Sequence, residues 1–214
     1  MEVYTMKNNF LLAAFQIPEN FYHAVECYFD RLPKDPYIDG DYRFRAYARY
    51  EKKGRKFSRL PHTRFCQSAG INHLVGGVER DFSPLSDSLD DSEELQHLLR
   101  SFSEYTLGAN DGVIDVHQIR VTCDENNIGS PAPEGIHQDG FNYVGICCLK
   151  RQDIDGGNTR IFTDVSGKNL HIDTVLEEDQ FIIFNDQRYY HYVSETLSKH
   201  KGKEGVRDVF VFTA

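Results

Sequence analysis

The chain has 214 residues, and 33 acidic against 24 basic side chains leave it a formal charge of −9. That balance repels phosphate backbones and anionic lipid headgroups, so neither nucleic acid nor a membrane surface is an expected partner. Twelve Tyr and fifteen Phe supply core bulk in a chain without Trp, which argues for a globular fold despite a mean hydropathy of −0.53. The longest apolar runs, Phe10 to Phe15 and Tyr143 to Leu149, fall far short of the ~20 residues of a membrane-spanning helix. The first of them is also too short for the core of a secretory signal, and a cytoplasmic location is the expectation. Five cysteines, odd in number and without a Cys-x-x-Cys pair, indicate neither a disulfide framework nor a thiolate zinc site; they read as reduced core residues.

After Pro18, Phe21, Ala24, Val25, Tyr28, Phe29 and Leu32 recur at helical spacing until Pro33 stops propagation. Tyr42 to Tyr50 alternates as a strand, with Arg43, Arg45 and Arg49 on one face and Phe44, Ala46 and Ala48 on the other. The Ser- and Asp-rich stretch Asp81 to Asp91 reads as a surface loop. A second helix is predicted from an Asp91 N-cap, with Glu94 three residues on, through Leu95, Leu98, Leu99 and Phe102 to Gly108. Beyond residue 112 the texture changes to short β-prone runs: Val113 to Thr122, Phe141 to Leu149, Thr159 to Thr163, Asn169 to Val175, Gln180 to Phe184 and Val206 to Thr213. With no helical pattern between them they favour an antiparallel sandwich or barrel over a parallel sheet. The expected organisation is one domain over 1–214, in which 1–110 give helical and strand support and 111–214 the β core.

His137 and Asp139 are two residues apart, and on a strand that spacing sends both side chains to one face, about 7 Å apart along the chain. His191, beyond the apolar run Phe181 to Phe184, offers a third ligand. Two histidines and a carboxylate on one face of an octahedron leave three adjacent positions open, the arrangement that suits non-haem Fe(II), whereas structural zinc wants a fourth protein ligand. A His-x-Asp tripeptide alone fits a surface loop or a hydrogen-bonded pair better than a metal site.

The context is more specific. Pro131-Ala132-Pro133-Glu134-Gly135-Ile136-His137-Gln138-Asp139-Gly140, then Gly156-Gly157, His191 and Gly205-Val206-Arg207-Asp208, resemble the Fe(II)- and 2-oxoglutarate-dependent oxygenases. Among these they are most similar to the bacterial branch of free-amino-acid hydroxylases that includes L-isoleucine 4-hydroxylase. The similarity extends to Tyr42-Arg43-Phe44-Arg45, to Gln67-Ser68, Asn72 and Gly76-Gly77, and to Val116 to Arg120, and so covers roughly residues 40 to 214.

The resemblance implies an α+β fold with a double-stranded β-helix (jelly roll, cupin-like) core and packing helices mainly from the N-terminal half. It implies Fe(II) on His137, Asp139 and His191, with 2-oxoglutarate as cosubstrate and O2 as oxidant. Because Asp139 keeps its carboxylate, hydroxylation is expected over halogenation. Arg207 matches the residue that anchors the distal carboxylate of 2-oxoglutarate, a task that suits a bidentate, permanently charged guanidinium. The chain departs from the Arg-x-Ser pattern of some relatives, having Val209 where the serine would stand; Thr159 or Thr213 is the expected second contact. The implied partner is a small molecule, a free L-amino acid hydroxylated on its side chain, with succinate and CO2 as coproducts. Arg43, Arg45, Arg120 and Arg160 are the candidates for its carboxylate, and the N-terminal half is expected to roof the site. Two other readings stay open: the same chemistry on a protein or carrier-bound residue, and a jelly-roll binding module without catalysis.

Overall fold

The computed structural model describes residues 12–18 and 21–214. In chain order its elements are β1 (Leu12–Gln16), α1 (Phe21–Phe29), β2 (Arg43–Lys53), β3 (Lys56–Arg59), β4 (Ser83–Pro84), α2 (Asp87–Asp90), α3 (Glu93–Thr106), β5 (Gly112–Cys123), β6 (Tyr143–Gln152), β7 (Ile154–Gly156), β8 (Asn158–Phe162), β9 (Leu170–Val175), β10 (Gln180–Asn185), β11 (Tyr190–Val193), β12 (Thr196–Ser198) and β13 (Gly205–Thr213). Eight strands make the large sheet, in the order β1-β10-β6-β13-β5-β2-β3 with β4 beside β2. A small sheet β11-β8-β9 and the pair β12-β7 complete a double-stranded β-helix. The α+β jelly-roll expectation holds.

Each of the six expected strands is present. Of the apolar run Phe10 to Phe15, residues 12–15 fall in β1, an edge strand paired with β10; residues 10 and 11 lie outside the described residues. Helix α1 ends at Phe29, one turn earlier than the spacing predicts. Helix α3 is capped by Ser92, whose Oγ accepts from the Leu95 amide at 3.1 Å, and not by Asp91. Asp91 is occupied as the C-cap of α2, a helix that with β4 interrupts the expected surface loop. At the other end of α3, Gly108 takes φ +57° and its amide closes on the Ser103 carbonyl at 2.8 Å, the left-handed turn for which glycine carries no Cβ penalty.

Strand alternation sorts the large sheet into two faces. Ala46, Ala48 and Tyr50 of β2, Ile114 and Val116 of β5, and Phe210 and Phe212 of β13 join Val25, Phe29, Leu95, Leu98, Leu99 and Phe102 of the helices in one core. Ile119, Val121, Ile146, Cys148 and Val209 face the other way, into a second core with Ile161 of the small sheet. Phe102 is fully buried with its ring 5.6 Å from Phe212, so truncation to Ala would cost about 3–5 kcal/mol. The helices therefore back the sheet on the side away from the small sheet. Cys123, Cys147 and Cys148 are buried, but Cys27 and Cys66 are exposed, contrary to the core reading of all five. Among the described residues no helix is long and apolar enough to cross a membrane.

Candidate metal centre and its pocket

His137 lies in the loop between β5 and β6, not in a strand, and His191 lies on β11. Their main chains are joined reciprocally: the His137 amide donates to the His191 carbonyl at 3.0 Å, and the His191 amide to the His137 carbonyl at 2.8 Å. Their ring centroids are 4.2 Å apart, with the planes tilted by 50°. Asp139 closes the triangle, with one carboxylate oxygen 3.7 Å from His137 Nε2 and the other 3.5 Å from His191 Nε2. The prospective ligand atoms of the three residues all lie within 4.8 Å of one another. His137 Nδ1 is 2.8 Å from the Gly135 carbonyl, which assigns the proton to Nδ1 and leaves Nε2 with its lone pair.

What shapes the loop is a second carboxylate. Asp186, 1% exposed, accepts the backbone amides of Asp139 (3.0 Å), Gly140 (2.8 Å) and Phe141 (3.1 Å). Its carbonyl accepts from the Gln138 side chain, and its Oδ1 is 4.0 Å from His191 Nδ1. Burial, and then the Asp139 charge, push its carboxyl up to about 7. Burial beside His137 pushes the His191 imidazolium well below the ordinary histidine range. For His137 burial acts in the same direction, but Glu134 and Asp139 outweigh it and the net shift is upward. Gln67 orients Asp139 from the other side, its Nε2 donating to the carboxylate at 3.2 Å and to the carbonyl at 3.0 Å. The Gln67 oxygen accepts in turn from Arg80 (2.7 Å) and Asn72 (3.2 Å).

The triangle opens on a pocket between the sheets, which Arg207 lines. Arg207 is 2% exposed, and among the described residues its Nε and Nη2 have no hydrogen-bond partner. Burial lowers its pKa, so a bound anion would relieve a charge the protein leaves uncompensated. Gly157 (φ +66°) makes the room: a Cβ there would stand 3.4 Å from Arg207 Cδ and 3.0 Å from Arg151 Nη1, while one on Gly156 would meet the Glu195 carbonyl at 2.2 Å. Thr159 and Thr213 both bury a hydroxyl without a partner. Thr213, however, is six residues from Arg207 along β13, roughly 20 Å, too far to share one carboxylate with it. Thr159 is two residues beyond the Gly157 turn that packs on Arg207.

The arginines expected to meet a substrate divide. Arg43 and Arg45 line the pocket, but Arg120 and Arg160 do not. Arg120 projects to the helix side of β5, where its Nε and Nη2 donate to the two Asp208 oxygens at 2.7 Å each and its Nη1 to Asp30 at 2.8 Å. Arg160 is on β8 and donates to Asp173 at 3.0 Å, in a different surface depression with Ile136 and Tyr192. Both guanidiniums are thus committed to carboxylates of the protein itself. The N-terminal half does border the pocket, through strand and loop segments and not through its helices. These are β2 and the segment carrying Phe65, Gln67 and Arg80, while α1 and α3 lie behind the large sheet. Arg80 and Glu134 line the pocket although sequence reasoning gave neither a role; Glu79-Arg80-Asp81 has the look of a surface charge run.

Comparison with known proteins agrees. The profile of the 2OG-Fe dioxygenase family matches residues 26–213. L-isoleucine-4-hydroxylase of Bacillus thuringiensis is 24% identical over 198 residues, 85% of this chain and 78% of that protein. A solved BsmA homologue from Methylobium petroleophilum superposes with a TM-score of 0.77 at 26% identity, covering 92% of this chain and 81% of the other. IDO from Bacillus thuringiensis gives 0.78 at 21% identity, over 96% and 93% of the two chains.

Proposed function

Since the chain belongs to the 2OG-Fe dioxygenase family and is an Fe(II)- and 2-oxoglutarate-dependent enzyme, we propose that it hydroxylates the side chain of a small free L-amino acid in the cytoplasm. The observation that carries this reading is one pocket holding both the His137–Asp139–His191 triangle and the buried guanidinium of Arg207, whose Nε and Nη2 have no partner among the described residues. The similarity to L-isoleucine-4-hydroxylase supports the substrate class.

In this reading His137 and His191 present Nε2 and Asp139 its carboxylate to Fe(II), a donor set of two imidazoles and one carboxylate that suits non-haem iron. The chemistry supplied by bound iron is the decarboxylation of 2-oxoglutarate by O2 to succinate and CO2, with the second oxygen atom inserted into a substrate C–H bond. The protein's part is placement. Arg207 pairs with the distal carboxylate of 2-oxoglutarate, and the Thr159 hydroxyl gives a second contact. Asp186 and Gln67 hold Asp139 and the loop behind it in register. Ile119, Val121, Ile146 and Val211 give the pocket apolar walls, which limit water around the reacting atoms.

The test is incubation of the protein with each proteinogenic L-amino acid, Fe(II), ascorbate and 2-oxoglutarate, followed by mass spectrometry. A gain of one oxygen atom on a free amino acid, lost in His137→Ala and Asp139→Ala together with succinate release, is the expected result. Succinate formation that survives both substitutions unaided would remove the assigned ligands.

A further inference from the structure

Three guanidiniums stand on the roof side of the pocket, and their internal partners differ. Arg43 is 3.5 Å from the buried carboxylate of Asp35. Arg45 and Arg80, 6% and 4% exposed, have no carboxylate within 4 Å among the described residues. Arg45 donates through Nη2 to His117 Nδ1 at 2.8 Å, and Arg80 through Nη2 to the Gln67 amide oxygen at 2.7 Å; both acceptors are neutral. His117 accepts on Nδ1 and is itself kept uncharged by burial and then by Arg45. The Nε of each guanidinium is buried without a partner.

The two cations share one aromatic mount. The Arg45 guanidinium carbon is 4.3 Å from the Phe82 ring centroid and 5.6 Å from that of Phe65; the Arg80 carbon is 4.8 Å from Phe65 and 5.8 Å from Phe82. Each thus lies within cation–π range of the same pair of rings, which fixes both without neutralising either. Two buried like charges side by side are costly unless an anion joins them, and the described residues provide none within contact. The burden is visible on Arg45, whose pKa burial lowers to about 9.

A complementary group lines the same pocket. Glu134 has one oxygen 3.5 Å from His137 Nε2 and the other buried without a partner, and no ion pair within 4 Å joins it to Arg45 or Arg80 among the described residues. Arg45, Arg80 and Glu134 line one pocket, and a molecule that carries an anionic and a cationic group on the same carbon offers a partner to each.

We propose that Arg45 and Arg80 together take the α-carboxylate of the substrate and Glu134 its α-ammonium group, so that both groups must be free and a residue inside a peptide is rejected. The inference rests on the amino-acid reading above and goes beyond it by assigning the residues that enforce it. Arg43, held by Asp35, serves as the neutralised edge of the clamp and not as a ligand.

The experiment is calorimetric titration of the protein loaded with Fe(II) and 2-oxoglutarate, without oxygen, so that binding is read without turnover. The tightest binder among the proteinogenic L-amino acids is compared with its own carboxamide and its own N-acetyl derivative. Both derivatives are expected to bind at least tenfold more weakly. Arg80→Gln should weaken the free amino acid by at least tenfold and leave its carboxamide unchanged, a selective loss that a general disturbance of the pocket does not produce. Glu134→Gln should weaken the free amino acid and leave the N-acetyl derivative unchanged, and it tests the other end even if Arg80→Gln fails to fold. A carboxamide bound as tightly as the acid, or an Arg80→Gln effect equal on both, overturns the clamp while the amino-acid reading stands. If no free amino acid binds, the reading and the clamp fall together.

Discussion

Arg207 and Asp208 are neighbours on β13, and alternation sends them to opposite faces of one sheet. On the helix face Asp208 meets Arg120 through two 2.7 Å bonds, and Tyr22 adds another at 2.9 Å. On the pocket face Arg207, Arg45 and Arg80 are buried to a similar degree yet keep guanidinium nitrogens without partners. The same chemistry serves two purposes. Where cation and carboxylate complete each other inside the chain they lock the helix layer to the sheet; where the carboxylate is withheld, the fold carries an unmet charge that only a ligand satisfies.

Substitutions at the two faces should therefore have opposite signatures. Arg120→Met strands the buried Asp208 carboxylate, whose pKa burial already raises, and is expected to cost about 3–5 kcal/mol of stability with little change in the KM for 2-oxoglutarate; urea denaturation alongside steady-state kinetics reads both. Arg207→Met should do the reverse, raising the KM for 2-oxoglutarate about a hundredfold, roughly 3 kcal/mol, while the ligand-free protein unfolds at the same or a higher denaturant concentration. If the two variants lose stability equally, the distinction between the faces is wrong.

The pocket face also carries a pH signature. His117 is buried and its pKa is well below the ordinary 6.5, whereas in the unfolded chain it titrates normally. Below pH 6.5 the unfolded state takes up a proton the folded state refuses, so this contribution to stability is full above 6.5 and lost as pH falls. The slope is at most ~1.4 kcal/mol per pH unit, about 2 kcal/mol between pH 6.5 and 5. Thermal melts of wild type and His117→Gln across that range should diverge accordingly, and parallel curves would show that His117 charges in the folded state. The smallest effect is expected from Thr159→Val. Loss of that hydroxyl should raise the KM for 2-oxoglutarate five- to tenfold, about 1 kcal/mol, and slightly raise the Tm of the ligand-free protein; an unchanged KM would mean that the hydroxyl does not reach the cosubstrate.

How much of this was legible in the chain depended on how local its cause is. Strands β5, β6, β10 and β13 carry their own β-branched and aromatic pattern, and the sequence reading found them. The short β7, β11 and β12 are strands because of what they pair with, so β11, which positions His191, left no periodic trace. The His137/Asp139 spacing pointed to one site, but their convergence comes from Asp186 gathering three amides and from the backbone bridge to His191. Arg120 was misplaced because alternation gives the two faces of a strand without saying which is covered by helices: Arg120 is in phase with Ile114 and Val116, which join the helix-side core, and Arg207 with Val209 and Val211. Arg80 had no signal at all, since it is buried against Phe65 and Phe82; Glu134 stood inside the Pro131 to Gly140 motif without a role of its own.

The reciprocal bridge between His137 and His191 has a consequence for how the enzyme is charged with metal. In domains where the ion itself gathers the chain, binding and folding are one event and a chelator unfolds the protein. Here backbone hydrogen bonds already tie the two histidines, and Asp186 already gathers the Asp139 loop, so little ordering entropy is left for the ion to overcome. Metal uptake becomes an exchange reaction at a standing socket, governed by supply and by the relative affinities of competing divalent ions, and an enzyme stripped by a chelator should keep its shape and be refilled without refolding.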